Sequence, residues 1–190
     1  VDVLTKEQAQ KNIEDWIKVP SSKLRQVVTA YSEFYVNGQR DKEFGNIMRG
    51  ADMVTADGRS VLAAVEYNRE SRSWIVDRRL KTFKAFFAGL KVGGRILKND
   101  LGETVTGVWL FEEVCRQAEL KGWRVFVLGG WGDVNLRATR MLLERFPKLK
   151  LASDAGEKSV GKVIGENERV LEKINRFKPD LLFVQYKPIQ

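Results

Sequence analysis

The sequence predicts an α/β fold in which a mostly parallel β-sheet is covered by helices on both faces. Short apolar segments rich in Val, Leu and Phe alternate with longer segments in which apolar residues recur every three or four positions. The short segments have the character of buried strands, and the longer ones have the period of a helix. Alternating strands and helices favour parallel pairing, because each crossover helix returns the chain to the same end of the sheet. We therefore predict one Rossmann-like domain over residues 1–190.

The first half of the chain opens with a well-marked helix. Thr5 and Gln8 have the spacing of a capping box at the start of a helix over residues 6–18, and Pro20 follows its end. Later elements are indicated by β-branched apolar runs for strands and by Ser before apolar-periodic segments for helices. They are a strand at 25–30, a helical segment at 32–50 that divides around Asn37-Gly38, a strand at 52–56 and a helix at 60–67.

The second half repeats the alternation more regularly. Runs such as Val125-Phe126-Val127-Leu128 and Leu181-Leu182-Phe183-Val184 read as buried strands, and each is bounded by glycine, proline or charged residues. The predicted elements are helices at 107–120, 133–146 and 167–177, and strands at 123–128, 149–152 and 180–184.

Residues that can act in catalysis or ligand binding directly follow three of the predicted strands. In open α/β folds, ligands bind at the carboxyl ends of the strands, so these residues predict one shared site along a sheet edge. They are Asp57 with Gly58, Gly129 with Gly130 and Gly132, and Lys187 with Gln190.

Each of these motifs also has a purely structural interpretation. Asp57 is either a general base or the first residue of an Asp-Gly turn. The glycines after residue 128 either let backbone N–H groups approach a phosphate at a helix N-terminus or form a tight turn. Thr29, near the end of an earlier strand, either donates to a ligand oxygen or caps the next helix. Lys187 and Gln190 either contact a ligand or belong to an ordinary loop.

Composition excludes several kinds of chemistry. The chain has no histidine, which excludes Ser-His-Asp and Cys-His catalysis and leaves Asp, Glu, Lys or Tyr as a general base. Its one cysteine, Cys115, cannot form an internal disulfide, and no apolar run reaches the roughly 20 residues that span a bilayer. No signal-peptide pattern is visible, so a reducing, cytoplasmic compartment is expected. Neither a metal ion nor a cofactor is predicted, since no acidic cluster has metal-ligand character.

The net charge of +8 is concentrated in residues 71–100, where eight basic and two acidic residues give +6. The same segment carries a helical stripe of apolar residues, Val76, Leu80, Phe83, Phe87 and Leu90. This basic amphipathic insertion either covers the core with its stripe or lies on an anionic membrane or a nucleic acid. The lack of RRM, KH or helix-turn-helix signatures speaks against nucleic acid as the partner.

Motifs spread over nearly the whole chain stand in a specific order and spacing. They are Val27-Val28-Thr29 with Glu33, Ala51-Asp52-Met53-Val54 with Asp57-Gly58, Val105-Thr106-Gly107 with Leu110, Arg124 to Gly130, Phe146-Pro147-Lys148-Leu149, Lys178 to Val184, and Pro188 with Gln190. Together these motifs resemble the WecG/TagA/CpsF glycosyltransferases, which form glycosyltransferase family 26.

The resemblance implies an inverting, metal-independent hexosyltransferase. It would move an N-acetylmannosamine-type sugar from a UDP donor to a polyprenyl-diphosphate-linked N-acetylglucosamine, in cell-surface polysaccharide or teichoic acid synthesis. The family's catalytic base falls on Asp57. The expected substrate-binding residues are Thr29, Tyr31, Thr106, Gly107, Gly129, Gly130, Gly132, Lys187 and Gln190. The implied location is peripheral, at the inner face of the bacterial plasma membrane, and a homo-oligomer stays open.

The chain departs from the family pattern at four positions. Tyr31 stands where Asn is usual, Thr104 where Arg is usual, Trp109 where Asp is usual and Tyr186 where Gly is usual. The lost Arg would face a phosphate-bearing ligand, so we expect Lys187 or a cation from residues 71–100 to replace it. Family members carry a C-terminal appendage that completes the site, and the sequence stops at Gln190. Weak turnover is therefore expected, and a nucleotide-binding domain without catalysis is the alternative function.

Overall fold

The computed structural model describes residues 1–19, 23–72, 81–130, 132–156 and 166–186. The chain divides into two compact units, Val1–Leu110 and Phe111–Gln190. Helices alternate with strands in both units, and every strand pair among the described residues is parallel. The predicted α/β class with a parallel, Rossmann-like arrangement is confirmed. The single domain over residues 1–190 stays a prediction.

The first unit contains seven described elements before the helix that crosses its boundary. They are α1 (Lys6–Lys18), β1 (Val27–Ala30), α2 (Ser32–Arg40), α3 (Lys42–Gly50), β2 (Met53–Ala56), α4 (Arg59–Arg72) and α5 (Lys81–Leu97). Helix α6 (Gly107–Lys121) follows. The predicted capping box starts α1, because the Gln8 N–H donates to Thr5 Oγ1 at 3.2 Å and the Thr5 N–H donates to Gln8 Oε1 at 2.9 Å.

Strands β1 and β2 pair in parallel, with Val27 opposite Met53 and Ala30 opposite Ala56. Their carboxyl ends therefore lie at the same edge of the sheet. The core beneath this edge is built from Ala56, Val61, Leu62, Val92 and Leu101. Helix α4 is longer than the predicted 60–67 segment and runs from Arg59 to Arg72.

The helical segment at 32–50 divides at Asp41, so the predicted division around Asn37-Gly38 is wrong. The Asp41 side chain accepts hydrogen bonds from the N–H groups of Glu43 and Phe44 at 2.9 and 3.1 Å, which starts α3. Gly38 instead lies inside α2, where it packs closely against Gly45 of α3. A Cβ atom on Gly45 would lie 2.5 Å from the Gly38 carbonyl oxygen.

Helix α5 packs on α4 through small residues and ion pairs. Ala88 and Val92 are buried, and Lys91 contacts Glu70 at 2.7 Å. Arg95 also forms an ion pair with Glu66. The predicted apolar stripe does not face the core, since its described members are solvent-exposed. The core-covering interpretation is therefore wrong for Phe83, Phe87 and Leu90, while Val76 and Leu80 lie outside the described residues.

The second unit is a three-stranded parallel sheet in the order β4-β3-β5. Its elements are β3 (Arg124–Gly129), α7 (Val134–Arg145), β4 (Lys150–Asp154), α8 (Glu166–Phe177) and β5 (Leu181–Gln185). Each lies within two residues of its predicted bounds. The core contains Cys115, Val125, Val127, Phe146 and Leu149. Across the described parts of both units, no helix combines the length and the apolarity needed to cross a membrane.

Candidate active site

Asp57 is the first residue after β2 and lies at the carboxyl edge of the β1–β2 sheet. Its backbone N–H donates to the Ala30 carbonyl at 2.9 Å, so the residue is fixed to the end of the neighbouring strand. Gly58 then starts α4, because its carbonyl accepts hydrogen bonds from the N–H groups of Val61 and Leu62 at 3.1 and 3.4 Å. Asp57 therefore stands in a strand-to-helix turn that backbone hydrogen bonds hold on both sides.

The Asp57 carboxylate is held by the N-terminus of α6. The N–H of Gly107 donates to Asp57 Oδ1 at 2.6 Å, and Gly107 is the first residue of that helix. The partial positive charge of a helix N-terminus strengthens a hydrogen bond from its N–H groups to a side-chain oxygen. Oδ2 receives no hydrogen bond from the residues that the structure describes. One carboxylate oxygen is thus anchored and the other is available to a ligand.

Thr29 and Gly107 approach each other closely beside this carboxylate. A Cβ atom on Gly107 would lie 2.9 Å from Thr29 Oγ1, which is closer than side-chain carbons normally come. Only glycine lets α6 begin this near to β1. Thr29, Asp57 and Gly107, which the sequence predicted as site residues, therefore lie together in the first unit.

The segment before α6 is anchored by two threonines. Thr55 is fully buried in β2, and its hydroxyl donates to the Val105 carbonyl at 3.0 Å. Thr106 caps α6, because its Oγ1 accepts from the Trp109 N–H at 3.3 Å and its carbonyl accepts from the Leu110 N–H at 2.9 Å. Thr106, predicted as a ligand contact, thus has a structural role in positioning Gly107.

Tyr31 follows β1 at the same edge and precedes α2. Its hydroxyl donates to Glu33 Oε2 at 3.0 Å. Burial raises the pKa of the Tyr31 phenol, and the hydrogen bond to Glu33 and the negative charges of Glu33 and Asp57 raise it further. Tyr31 therefore stays protonated at neutral pH and can offer a hydroxyl to a ligand at this edge.

Two departures from the family pattern also lie near this segment. Trp109 stands one turn into α6, with the Lys6 ammonium 5.2 Å from its ring centroid. Lys6 forms an ion pair with Glu103 at 3.4 Å as well. A cation thus reaches the start of α6 from α1, although no Arg stands at Thr104.

The carboxyl edge of the second unit's sheet has a strand order that is typical of ligand-binding sites. The chain leaves β3 for β4 on one side and then crosses to β5 on the other, so the strand order reverses between β3 and β5. Such a topological switch point is where open α/β sheets bind ligands. Gly129 and Gln185 are register partners there, at the carboxyl ends of the two strands.

The glycines at this switch point are required by the backbone. Gly129, Gly130 and Gly132 have φ values of +101°, +105° and +58°, in the region that favours glycine. A Cβ on Gly129 would lie 2.9 Å from the Gln185 carbonyl oxygen, and one on Gly130 would lie 3.1 Å from the Asn135 nitrogen. The turn leads into α7, whose N-cap residue Asp133 makes no side-chain capping hydrogen bond. Its first N–H groups can therefore serve an anion.

The sequence interpretation missed Asn135, the second residue of α7. Its buried side-chain amide donates to the Gly129 carbonyl at 2.6 Å and lies 3.4 Å from the Val127 carbonyl and 3.3 Å from the Asp154 carbonyl. These hydrogen bonds from the Asn135 amide hold the glycine turn in place. A polar residue on the inward face of a predicted helix was the available signal.

Asp154 ends β4 and anchors α8. Its buried carboxylate is paired with Arg169 at 2.7 Å, accepts the Gly156 N–H at 2.9 Å and contacts the Lys173 ammonium. The Arg169 hydrogen bond holds the pKa of this carboxyl well below its usual range; Lys173 and the Gly156 N–H add to the effect, against the opposing effect of burial. We assign Asp154 a structural role.

Lys187 and Gln190, predicted as ligand contacts, lie outside the described residues, as does Trp131 in the glycine turn. The prediction of one site shared by all three strand ends stays a prediction. The predicted site residues that the structure describes fall into two groups. Thr29, Tyr31, Asp57, Thr106 and Gly107 lie in the first unit, and Gly129, Gly130 and Gly132 lie in the second.

A family model described as the glycosyl transferase WecG/TagA/CpsF family matches residues 1–78 and 87–186. The chain belongs to this family. The resemblance inferred from the motifs is confirmed, and its two matched segments contain every described site residue. Residues 79–86, which include the start of α5, lie outside the match.

Three curated relatives of the chain carry the same activity name. Proteins of Staphylococcus aureus strains MRSA252, NCTC 8325 / PS 47 and COL are each 32% identical to the chain over 88 residues. Each is named N-acetylglucosaminyldiphosphoundecaprenol N-acetyl-beta-D-mannosaminyltransferase. The match covers 46% of this chain and 33% of each relative, so it spans about a third of the relatives' length.

Proposed function

We propose that the chain is an inverting hexosyltransferase that moves an N-acetylmannosamine-type sugar from UDP to a polyprenyl-diphosphate-linked N-acetylglucosamine. The observation that carries the proposal is the Asp57 carboxylate, which is anchored through Oδ1 by the Gly107 N–H at 2.6 Å. The name of the staphylococcal relatives supports this sugar and this acceptor. The family resemblance supports the UDP donor.

Asp57 is the proposed general base. In an inverting transfer, the acceptor hydroxyl oxygen bonds to the anomeric carbon while the bond from that carbon to the diphosphate oxygen breaks. UDP leaves with the electron pair, and the hydroxyl proton passes to Asp57 Oδ2. Anchoring one oxygen keeps the other in a fixed orientation, which general base catalysis requires.

The glycine turn after β3 is the proposed diphosphate site. Backbone N–H groups of Gly130 and of the first turn of α7 can donate to phosphate oxygens, and the partial positive charge of the helix N-terminus stabilises the leaving group. The space beside Gly132 is open among the described residues, since a Cβ there would meet nothing within 4 Å. We propose that this backbone site needs no metal ion, with Lys187 and Gln190 as further contacts.

Thr29, Tyr31 and Thr106 are proposed to position the sugar or the acceptor around Asp57. The hydroxyls of Thr29 and Tyr31 lie at the same strand edge as the carboxylate. The Tyr31 phenol donates its proton to Glu33, so its oxygen can accept a hydrogen bond from a sugar hydroxyl. We further propose that the protein works at the inner face of the bacterial plasma membrane, where a polyprenyl-linked acceptor resides, in polysaccharide or teichoic acid synthesis.

A screen of UDP-sugars with a lipid-diphosphate-linked N-acetylglucosamine acceptor tests the proposal. We expect transfer of N-acetylmannosamine with and without EDTA, and a calorimetric UDP titration that is unchanged by Mg²⁺. UDP binding without transfer of any sugar, by a folded protein, would favour the alternative of a non-catalytic nucleotide-binding domain. A strict requirement for Mg²⁺ would contradict the backbone diphosphate site.

A further inference from the structure

Helix α5 carries large apolar side chains on a solvent-exposed face. We call them the apolar ribbon: Phe83 (67% exposed), Phe86 (61%), Phe87 (63%), Leu90 (57%) and Leu97 (89%). At 100° per residue they fall within an arc of about 100° on the helix. Exposed apolar residues are usually scattered, whereas these five form one continuous strip.

The opposite face of the same helix fixes its orientation. Ala88 and Val92 pack against the core, and Lys91 pairs with Glu70 of α4 at 2.7 Å. Arg95 pairs with Glu66 and donates from Nε to the Asp100 carbonyl at 2.9 Å. Because small residues and ion pairs seat α5 on α4, the ribbon cannot turn inward without breaking these contacts.

The sequence of α5 is basic, and two of its cations, Lys91 and Arg95, are paired with carboxylates of α4. From Lys81 to Lys98 the sequence contains five cations and no acidic residue. A helix with Phe and Leu on one face and Lys and Arg on the other is the type that lies in the headgroup region of an anionic bilayer. The cations attract the anionic surface, and the apolar side chains enter the acyl boundary.

A second copy of the chain fits the ribbon poorly. The strip from Phe83 to Leu97 is about 21 Å long and about 10 Å wide, so two copies would bury about 400 Å². A stable dimer interface needs about 1,000 Å² or more. The excess of basic residues in the sequence of α5 would also disfavour contact with the same helix of a second copy.

We propose that the apolar ribbon of α5 docks the protein onto an anionic lipid leaflet. The inference rests in part on the proposed function, because a lipid-linked acceptor requires the enzyme to work at a membrane. Two of the ribbon's five residues, Phe83 and Phe86, lie in the segment 79–86 that the family model does not match, and the other three lie within the match. Helix α5 lies parallel to the membrane surface and its ribbon side chains enter the acyl boundary, while basic residues of α5 other than the paired Lys91 and Arg95 contact the headgroups.

Co-sedimentation of the 190-residue chain with vesicles tests the docking surface directly. We expect binding to vesicles of phosphatidylglycerol and phosphatidylcholine, weaker binding at high salt, and little binding to phosphatidylcholine alone. Replacing Phe83→Ser and Phe87→Ser together should lower the partition coefficient about tenfold or more, because two buried aromatic rings are lost. The matched control is Leu136→Ser with Met141→Ser, two exposed apolar residues of α7, which should leave binding unchanged.

A labelling experiment keeps the proposal testable if the serine variant folds poorly. Cys115 is fully buried, so a thiol-reactive fluorophore labels Leu90→Cys selectively. We expect its emission to shift to the blue when anionic vesicles are added, and a label at Leu136→Cys to stay unshifted. Equal shifts at both positions, or none at Leu90→Cys, would overturn the proposal.

Two further results separate this inference from the proposed function. Both vesicle measurements omit the UDP-sugar, so vesicle binding without sugar transfer supports the docking surface and contradicts only the transferase. Transfer to a short, water-soluble acceptor without vesicle binding contradicts only the docking surface. Sedimentation equilibrium showing a dimer that Phe83→Ser with Phe87→Ser converts to a monomer would assign the ribbon to a second copy and overturn the proposal.

Discussion

Replacing Gly107 by alanine tests the contact that positions the proposed base. The added Cβ would lie 2.9 Å from Thr29 Oγ1 and 3.4 Å from Thr29 Cβ. Both partners are held, Thr29 by strand pairing in β1 and Gly107 by the start of α6. The helix start must therefore move away from β1, and the 2.6 Å hydrogen bond from the Gly107 N–H to Asp57 lengthens with it.

The size of the effect follows from two opposing terms. Overpacking costs about 1–3 kcal/mol, while alanine gains at most about 1 kcal/mol over glycine in a helix. We expect a net loss of about 1–2 kcal/mol in the free energy of unfolding, which lowers Tm by about 2–8 °C for a chain of this size. Sugar transfer should fall further, by about 10- to 100-fold, because the Asp57 carboxylate loses its anchor.

The assay combines thermal unfolding with transfer rates for a double-mutant cycle. Thr29→Ala removes the contacting hydroxyl, so the pair Gly107→Ala with Thr29→Ala should recover about 1 kcal/mol of stability relative to the sum of the single changes. The matched control is Gly89→Ala in α5, where a Cβ would meet nothing within 4 Å. It should stabilise the protein slightly. A Gly107→Ala protein with unchanged Tm and unchanged transfer rate would refute the reasoning.

Three further predictions concern the second unit. Asp154→Asn should lower the free energy of unfolding by about 1–3 kcal/mol at pH 7, because Arg169 and Lys173 lose their partner. The folded-state pKa of Asp154 is depressed. Its contribution is therefore present above the unfolded pKa of about 4 and is lost as the pH falls toward the folded value; urea titrations from pH 7 to pH 2 should show the two proteins converging. Burial raises the pKa of Cys115 to about 12, so iodoacetamide at pH 8 should modify it only when urea unfolds the protein. Gly129→Ala, at φ +101° and 2.9 Å from the Gln185 carbonyl, should cost about 2–4 kcal/mol and weaken UDP binding in calorimetry.

Local signals in the sequence were sufficient where a few neighbouring residues determine the structure. The capping box of Thr5 and Gln8 predicted the start of α1 to the residue. Asp57-Gly58 predicted both a strand end and a turn, and both are present. The anchoring of Asp57 by Gly107 was not predictable, because it joins residues 50 positions apart. The motif interpretation still named both residues.

Periodicity alone did not predict which face of α5 is covered. Phe83, Phe87 and Leu90 have the spacing of a core-facing stripe, yet they are exposed. Ala88 and Val92 face α4 instead, since small side chains allow close helix packing and leave the ion pairs with Glu66 and Glu70 intact. Spacing identifies residues that share a face, but the contacts of the opposite face decide which one is buried.

The roles of Gly38 and Asn135 depend on tertiary contacts, which their local sequence does not indicate. Asn37-Gly38 has the composition of a helix break, but Gly38 is needed inside α2 for its approach to Gly45. Asn135 has low helix propensity, and its value lies in three backbone carbonyls from different segments that its amide can reach. Both roles depend on tertiary contacts, which outweigh local propensity.

The most direct test of the account is the rate of sugar transfer by Asp57→Asn. Asparagine keeps the size of the side chain and can still contact the Gly107 backbone, but it cannot accept a proton at Oδ2. Transfer from UDP-N-acetylmannosamine to a lipid-diphosphate-linked N-acetylglucosamine would be measured for both proteins, together with Tm and the Kd for UDP. We predict a rate about 10²–10⁴-fold below wild type, with Tm and Kd unchanged. A folded Asp57→Asn protein that binds UDP and transfers sugar at a near-normal rate would contradict the assignment of Asp57 as the base.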